Sequence, residues 1–100
     1  MNIKYYSTNR KAPAVDFKEA LFRGQAPDRG LYMPEIIPRV TEKELLSLSR
    51  KPYPRIAQHV LSKYLDAHIP RGKLAELCND AYGYEVPMEK AVRNTYIMRL

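Results

Sequence analysis

Ser7-Thr8-Asn9-Arg10-Lys11 holds the densest chemistry of these 100 residues, with two hydroxyls, an amide and two cations in a row. Hydroxyls and cations suit phosphate oxygens, so Thr8, Arg10 and Lys11 are candidates to face a phosphorylated ligand. No glycine-rich phosphate cradle accompanies them, and the competing reading is a solvated polar loop from Thr8 to Ala14. Other reactive types are sparse. Cys78 is the single cysteine, so neither an internal disulfide nor a cysteine metal site can form. It falls beside Leu74, Leu77 and Ala81 on an apolar helical face, the setting of a buried small hydrophobe rather than a catalytic thiol. His59 and His68 have no carboxylate, cysteine or second histidine placed for them, read as surface residues and argue against a metal site. Of the eight lysines, Lys18 and Lys63 fall on exposed helix faces and have no reason to act as nucleophiles.

The elements around the polar stretch are readable. Asn2 to Ser7 alternates Ile3 and Tyr5 against Lys4 and Tyr6, the period of a half-buried strand. Asp16 with Glu19 three residues on spells a capping box for a helix whose Phe17, Ala20 and Leu21 share a face, and Gly24 sits where it would end in a left-handed residue. Pro27, Asp28 and Gly30 are turn chemistry, and Leu31-Tyr32-Met33 is a brief strand stopped by Pro34. After a connector over Glu35 to Arg39, Thr41 and Glu44 cap a second helix with Leu45, Leu46 and Leu48 as its buried side, ended by Pro52. Pro54 opens a third helix at its first position, with Ile56, Val60, Leu61, Tyr64 and Leu65 inward and His59 and Lys63 outward. Pro70 introduces a fourth, with Leu74, Leu77, Cys78, Ala81 and Tyr82 on one face and Gly83 as the stop. A connector over Tyr84 to Pro87 follows. Met88 to Val92 reads as a helical turn, and Thr95 to Met98 as a strand that pairs with the N-terminal strand or with Leu31 to Met33. The fold class is α+β: one helix-rich small domain over residues 1–100, four helices covering a short antiparallel sheet.

Composition bounds the classes. The chain is 45% hydrophobic and 28% charged, as in a globular domain, and no apolar run approaches the ~20 residues of a membrane span. Met1 to Thr8 is short, polar and alternating, unlike a signal peptide, so the expected location is cytoplasmic with no membrane partner. The net charge of +6 raises the possibility of nucleic acid. The cations are scattered from Lys4 to Arg99 and never cluster beyond pairs such as Arg10-Lys11 and Arg50-Lys51, which argues against it.

One stretch goes further. YYSTNRKAPAVDFKEALFRGQAPDRGLYMPEIIP resembles the opening of the threonine synthase family, in which a Ser-Thr loop leads to a Val-Ser-Phe-x-x-Ala helix and then an Asp-Gly-Gly-Leu-Tyr-x-Pro turn. The matching residues are Ser7-Thr8, Val15-Asp16-Phe17 with Ala20, and Asp28, Gly30, Leu31, Tyr32 and Pro34. Asp16 replaces the usual Ser and also caps. Arg29 replaces the first Gly, from which Gly30, not position 29, is expected to adopt the left-handed conformation. Tyr53, Ile56-Ala57, Val60-Leu61, Ile69-Pro70, Leu74, Ala81-Tyr82 and Pro87 match the family's helical middle. Asn94 to Leu100 resembles the strand that there leads into Phe-His-Gly-Pro-Thr-x-x-Phe-Lys, whose lysine holds pyridoxal phosphate.

The resemblance implies an N-terminal piece of an enzyme that makes threonine from O-phosphohomoserine. Its partners would be the remaining catalytic domains of the same polypeptide. The piece itself would be inactive, would bind no cofactor and would supply no catalytic residue. If it is such a piece, apolar surface around Tyr96, Met98 and Leu100 should stand exposed. A free-standing basic module contacting nucleic acid, or a docking domain of another enzyme, remain as alternatives.

Overall fold

The computed structural model describes residues 2–99, with the elements β1 (Tyr5–Ser7), α1 (Phe17–Arg23), β2 (Tyr32–Pro34), α2 (Glu42–Leu48), α3 (Tyr53–Leu65), α4 (Arg71–Ala81), β3 (Met88–Val92) and β4 (Thr95–Met98). The helix ends obey local rules. Asp16 Oδ1 accepts from the Glu19 N–H at 2.9 Å, but the Glu19 carboxylate turns to Arg23, 2.9 Å away, so only half of the expected capping box forms. Gly24 ends α1 at φ 73°, its N–H donating to Ala20. The box at α2 is complete: the Glu44 N–H donates to Thr41 Oγ1 and the Thr41 N–H to Glu44 Oε2. Helix α3 begins at Tyr53, so Pro54 is its second residue rather than its first, a position where a missing N–H is still harmless.

The packed core lies between α3 and α4. Ala57, Leu65, Leu74 and Cys78 are buried there, flanked by Phe17, Leu61, Tyr64, Ile69 and Tyr82. Phe17 meets Tyr5 and His68 with ring centroids 5.9 Å apart in both pairs, which joins the N-terminal unit to the helical pair. His68 also lies 3.1 Å from Asn2 Oδ1 through its Nε2. The two short helices cover less than their apolar pattern suggests. Each buries one residue, Ala20 in α1 and Leu48 in α2, while Leu21, Leu45 and Leu46 are exposed. Seven residues make about two turns, and the neighbouring elements cover only a single row of each.

Two sheets form where one was expected. Strands β1 and β2 pair antiparallel with Ser7 opposite Tyr32, and Val15 adds a bridge to Tyr5. Residues 88–92 are a strand instead of a helical turn. They pair with β4 in a hairpin of their own, with Met88 opposite Met98 and Lys90 opposite Tyr96. Asn94, at φ 60°, closes the turn, a left-handed position that asparagine tolerates. Strand β4 therefore pairs with its nearest neighbour in sequence and not with β1 or β2. Arg99 stitches the hairpin's open end through Glu89 at 2.8 Å.

Every residue of β3 and β4 is exposed. Tyr96 and Met98 are more than half exposed, as expected of that surface, and Leu100 lies outside the described residues. The radius of gyration is 16.2 Å, against about 13 Å for a compact globule of this length. The accessible surface is 7930 Å², where a compact monomer of this mass exposes about 5,800 Å².

Candidate functional site

The register of β1 on β2 places the chain leaving Ser7 directly against the turn entering Tyr32, and one carboxylate knits the two. Asp28 Oδ1 accepts from the Ser7 hydroxyl at 2.5 Å and from the Gly30 N–H at 3.0 Å, and Oδ2 accepts from the Lys11 N–H at 2.9 Å. The Asn9 side-chain amide donates to the Asp28 carbonyl. The Ser7 hydroxyl, followed by the Gly30 and Lys11 N–H groups, holds the Asp28 carboxyl below its ordinary range, against a smaller opposing effect of desolvation. Ser7 is wholly buried. Leu31 adds a second tie, accepting from the Thr8 N–H and donating to Thr8 Oγ1 at 3.0 Å.

Gly30 and Arg29 exchange the expected roles. Arg29 is left-handed at φ 70°, and Gly30 has no positive φ. Gly30 is needed for space: a Cβ there would fall inside contact distance of Ser7 Oγ and 2.9 Å from the Asn9 nitrogen. Arg29 is held by its own hydrogen bonds, its N–H to Ala26 and its carbonyl to the Gln25 side chain.

The structure thus brings Thr8, Arg10 and Lys11 onto one loop beside Asp28, Gly30 and Leu31. The Thr8 oxygen is engaged by Leu31, while the cationic ends of Arg10 and Lys11 make no ion pair among the described residues. Arg10, left-handed at φ 57°, lays its guanidinium 4.6 Å over the Tyr6 ring. Tyr32, of the same motif, keeps a buried hydroxyl without a hydrogen-bond partner among the described residues. What remains open at the loop is positive charge, fixed in position by main-chain bonds.

His59 and Lys63 differ from their expected solvated setting. Glu44 of α2 reaches both, with Lys63 Nζ at 2.8 Å and His59 Nε2 at 3.5 Å from Oε1. The Lys63 hydrogen bond, then the Thr41 N–H, holds the Glu44 carboxyl down to about 2. No local pattern signals this contact across 19 residues. Because the folded value lies below the ordinary 4.5, the contribution is present above pH 4.5 and is lost as pH falls toward 2. The gap in urea midpoint between the native chain and Glu44→Gln should be constant above pH 4.5 and close toward pH 2. A gap independent of pH would contradict the assignment.

A family model described as Threonine synthase N terminus matches residues 4–82. The chain belongs to this threonine synthase N-terminal family. It is 30% identical over 103 residues to threonine synthase of Pseudomonas aeruginosa, covering 98% of this chain and 22% of that one. It is 40% identical over 79 residues to threonine synthase-like 2 of Mus musculus, covering 78% of this chain and 16% of that one. The crystal structure of PLP-bound threonine synthase from Brucella melitensis superposes with a TM-score of 0.84 at 31% identity, over 96% of this chain and 22% of that chain. The chain therefore spans 16% to 22% of the length of these relatives. The family model ends before the β3–β4 hairpin, which the bacterial relatives also cover. Among the described residues no helix is long and apolar enough to cross a membrane.

The family member's own lysines do not fit pyridoxal phosphate. A Schiff-base lysine needs an accessible neutral amine beside a cup of backbone donors. Lys63 is the one lysine that is not exposed, and its Nζ is tied to Glu44 at 2.8 Å.

Proposed function

We propose that this chain is the N-terminal domain of a threonine synthase, a cytoplasmic lyase that converts O-phospho-L-homoserine and water to L-threonine and phosphate. The observation that carries the reading is the family match over residues 4–82, joined to a PLP-bound neighbour that shares the fold across 96% of the chain. Pyridoxal phosphate, bound by other domains of the same polypeptide, supplies the electron sink for the elimination. This chain's residues frame and orient. Thr8, Arg10 and Lys11 face the substrate's phosphate, with Arg10 and Lys11 supplying charge from a loop that Asp28 immobilises.

Surface accounts for the docking of the other domains. The exposed hairpin adjoins a mostly apolar groove of about 580 Å³ whose walls include Tyr53, Ile56, Tyr84, Met88 and Met98. Burying such a surface stabilises a multidomain enzyme. The family match and the relatives offer no support for a free-standing nucleic-acid module.

Two measurements test the reading. The encoding gene downstream of Leu100 should continue into a lysine-bearing His-Gly-Pro-Thr motif, and a stop codon there would overturn it. In the full-length protein, Arg10→Asn with Lys11→Gln should raise KM for O-phosphohomoserine about tenfold with little change in kcat, as expected for losing charge-assisted contacts to a bound anion. Both substitutions keep the main-chain bonds, and asparagine tolerates the left-handed φ of position 10. An unchanged KM would remove the loop from the substrate site.

A further inference from the structure

A second positive region lies away from the loop, in a half-open cleft of about 700 Å³ between α2, α3 and the start of α4. Lys51, Arg55, Lys63 and Arg71 line it, over a floor that includes Leu48, Ile69 and Leu74. Of these cations Lys63 is compensated by Glu44. Arg55 is gripped by two neutral groups, the side-chain oxygens of Gln58 and Asn79, so its guanidinium is held in place with its charge uncancelled. Lys51 and Arg71 make no ion pair among the described residues. With Asp66 as the acidic side chain of the lining, four cations face two carboxylates, Glu44 included, and a surplus of two positive charges remains.

The start of α4 points the same way. Its first turn contains Arg71 and Lys73 and no acidic residue, and Pro70 gives it no side-chain cap. Cations at a helix N-terminus oppose the helix dipole; Lys73 is compensated by Glu76 at 3.5 Å, whereas Arg71, which lines the cleft, makes no ion pair among the described residues. The volume is that of a small-molecule site.

We propose that this cleft binds a small organic phosphomonoester. The dianion balances the surplus charge against Lys51, Arg55 and Arg71, and the organic group rests on Leu48, Ile69 and Leu74. Guanidinium forks suit phosphate oxygens, and the apolar floor favours an ester over free phosphate. The site is separate from the loop of Thr8, Arg10 and Lys11 and does not depend on what that loop does.

Amide-resolved NMR of this chain, titrated at constant ionic strength, tests the proposal with phenyl phosphate, inorganic phosphate and a glutamate-rich peptide as probes. Phenyl phosphate should give saturable shifts at Gln58, Ser62 and Arg71, with a Kd in the millimolar range or below and tighter than inorganic phosphate. Lys51→Gln and Arg71→Gln, both at exposed positions, should each weaken it at least about fivefold, with the circular dichroism and melting temperature unchanged. Lys18→Gln, at an exposed position of α1 outside the cleft, should leave it unaltered. Absence of saturable shifts, equal or tighter binding of inorganic phosphate, or indifference to the Lys51 and Arg71 substitutions would each overturn the proposal. Shifts from the peptide without shifts from phenyl phosphate would overturn it too, and would assign the cleft to an acidic protein segment.

Discussion

Gly30→Ala should destabilise the chain by about 3 kcal/mol or more, a large fraction of the ~5–15 kcal/mol that holds a domain folded. The added methyl meets the Ser7 hydroxyl, the Asn9 nitrogen at 2.9 Å and Asp28 Oδ1 at 3.1 Å. None of these can swing aside. Ser7 is buried with its hydroxyl on Asp28, and the Asn9 nitrogen is main chain donating to Ser7 Oγ. Relief requires lifting the 8–14 loop off the turn, which breaks the Lys11 and Leu31 bonds together. The expected signs are a lowered urea midpoint and loss of amide protection at Lys11 and Leu31. A cost below about 0.5 kcal/mol, the range of ordinary surface changes, would show that Gly30 is not packed as described.

Leu74→Ala should cost about 2–5 kcal/mol, the range for emptying a buried leucine site. Leu74 is 3% exposed and belongs to a buried cluster whose other members are Ala57, Leu65 and Cys78. Two of those are small, so little material can collapse into the gap. Leu46→Ala supplies the contrast: Leu46 is 68% exposed, and its truncation should stay within about 0.5 kcal/mol. Chemical denaturation of the two variants measures both. Equal effects would mean that the α3–α4 seam is not where this chain keeps its stability.

The difference between those two leucines marks what could be read from the chain alone. Helix ends were legible at Asp16, Gly24 and Thr41, because a cap is settled by residues three or four positions apart. Burial was legible for Leu74 and Cys78, on a long helix facing another, but not for Leu21, Leu45 or Leu46, whose exposure depends on which elements lie across from them. Met88 to Val92 is too short for periodicity to separate strand from helix, and its pairing depends on the turn at Asn94. At the candidate site the local geometry was not legible. A glycine required for space and one required for φ look alike in sequence, so Gly30 and Arg29 were interchanged. Likewise, the partners of the Ser7 and Thr8 hydroxyls, Asp28 and Leu31, lie 21 and 23 residues away, beyond the reach of any local pattern.

Asp28 grips the 8–14 loop through the Ser7 hydroxyl and the main-chain N–H of Lys11, and touches neither the Arg10 nor the Lys11 side chain. A loop anchored in this way is a socket whose inserts can be exchanged. Charge and length at position 11, and at position 10 within the residues that tolerate its left-handed φ, can be rewritten while the path of the chain stays the same, which makes this corner a practical place to alter surface chemistry without redesigning the fold.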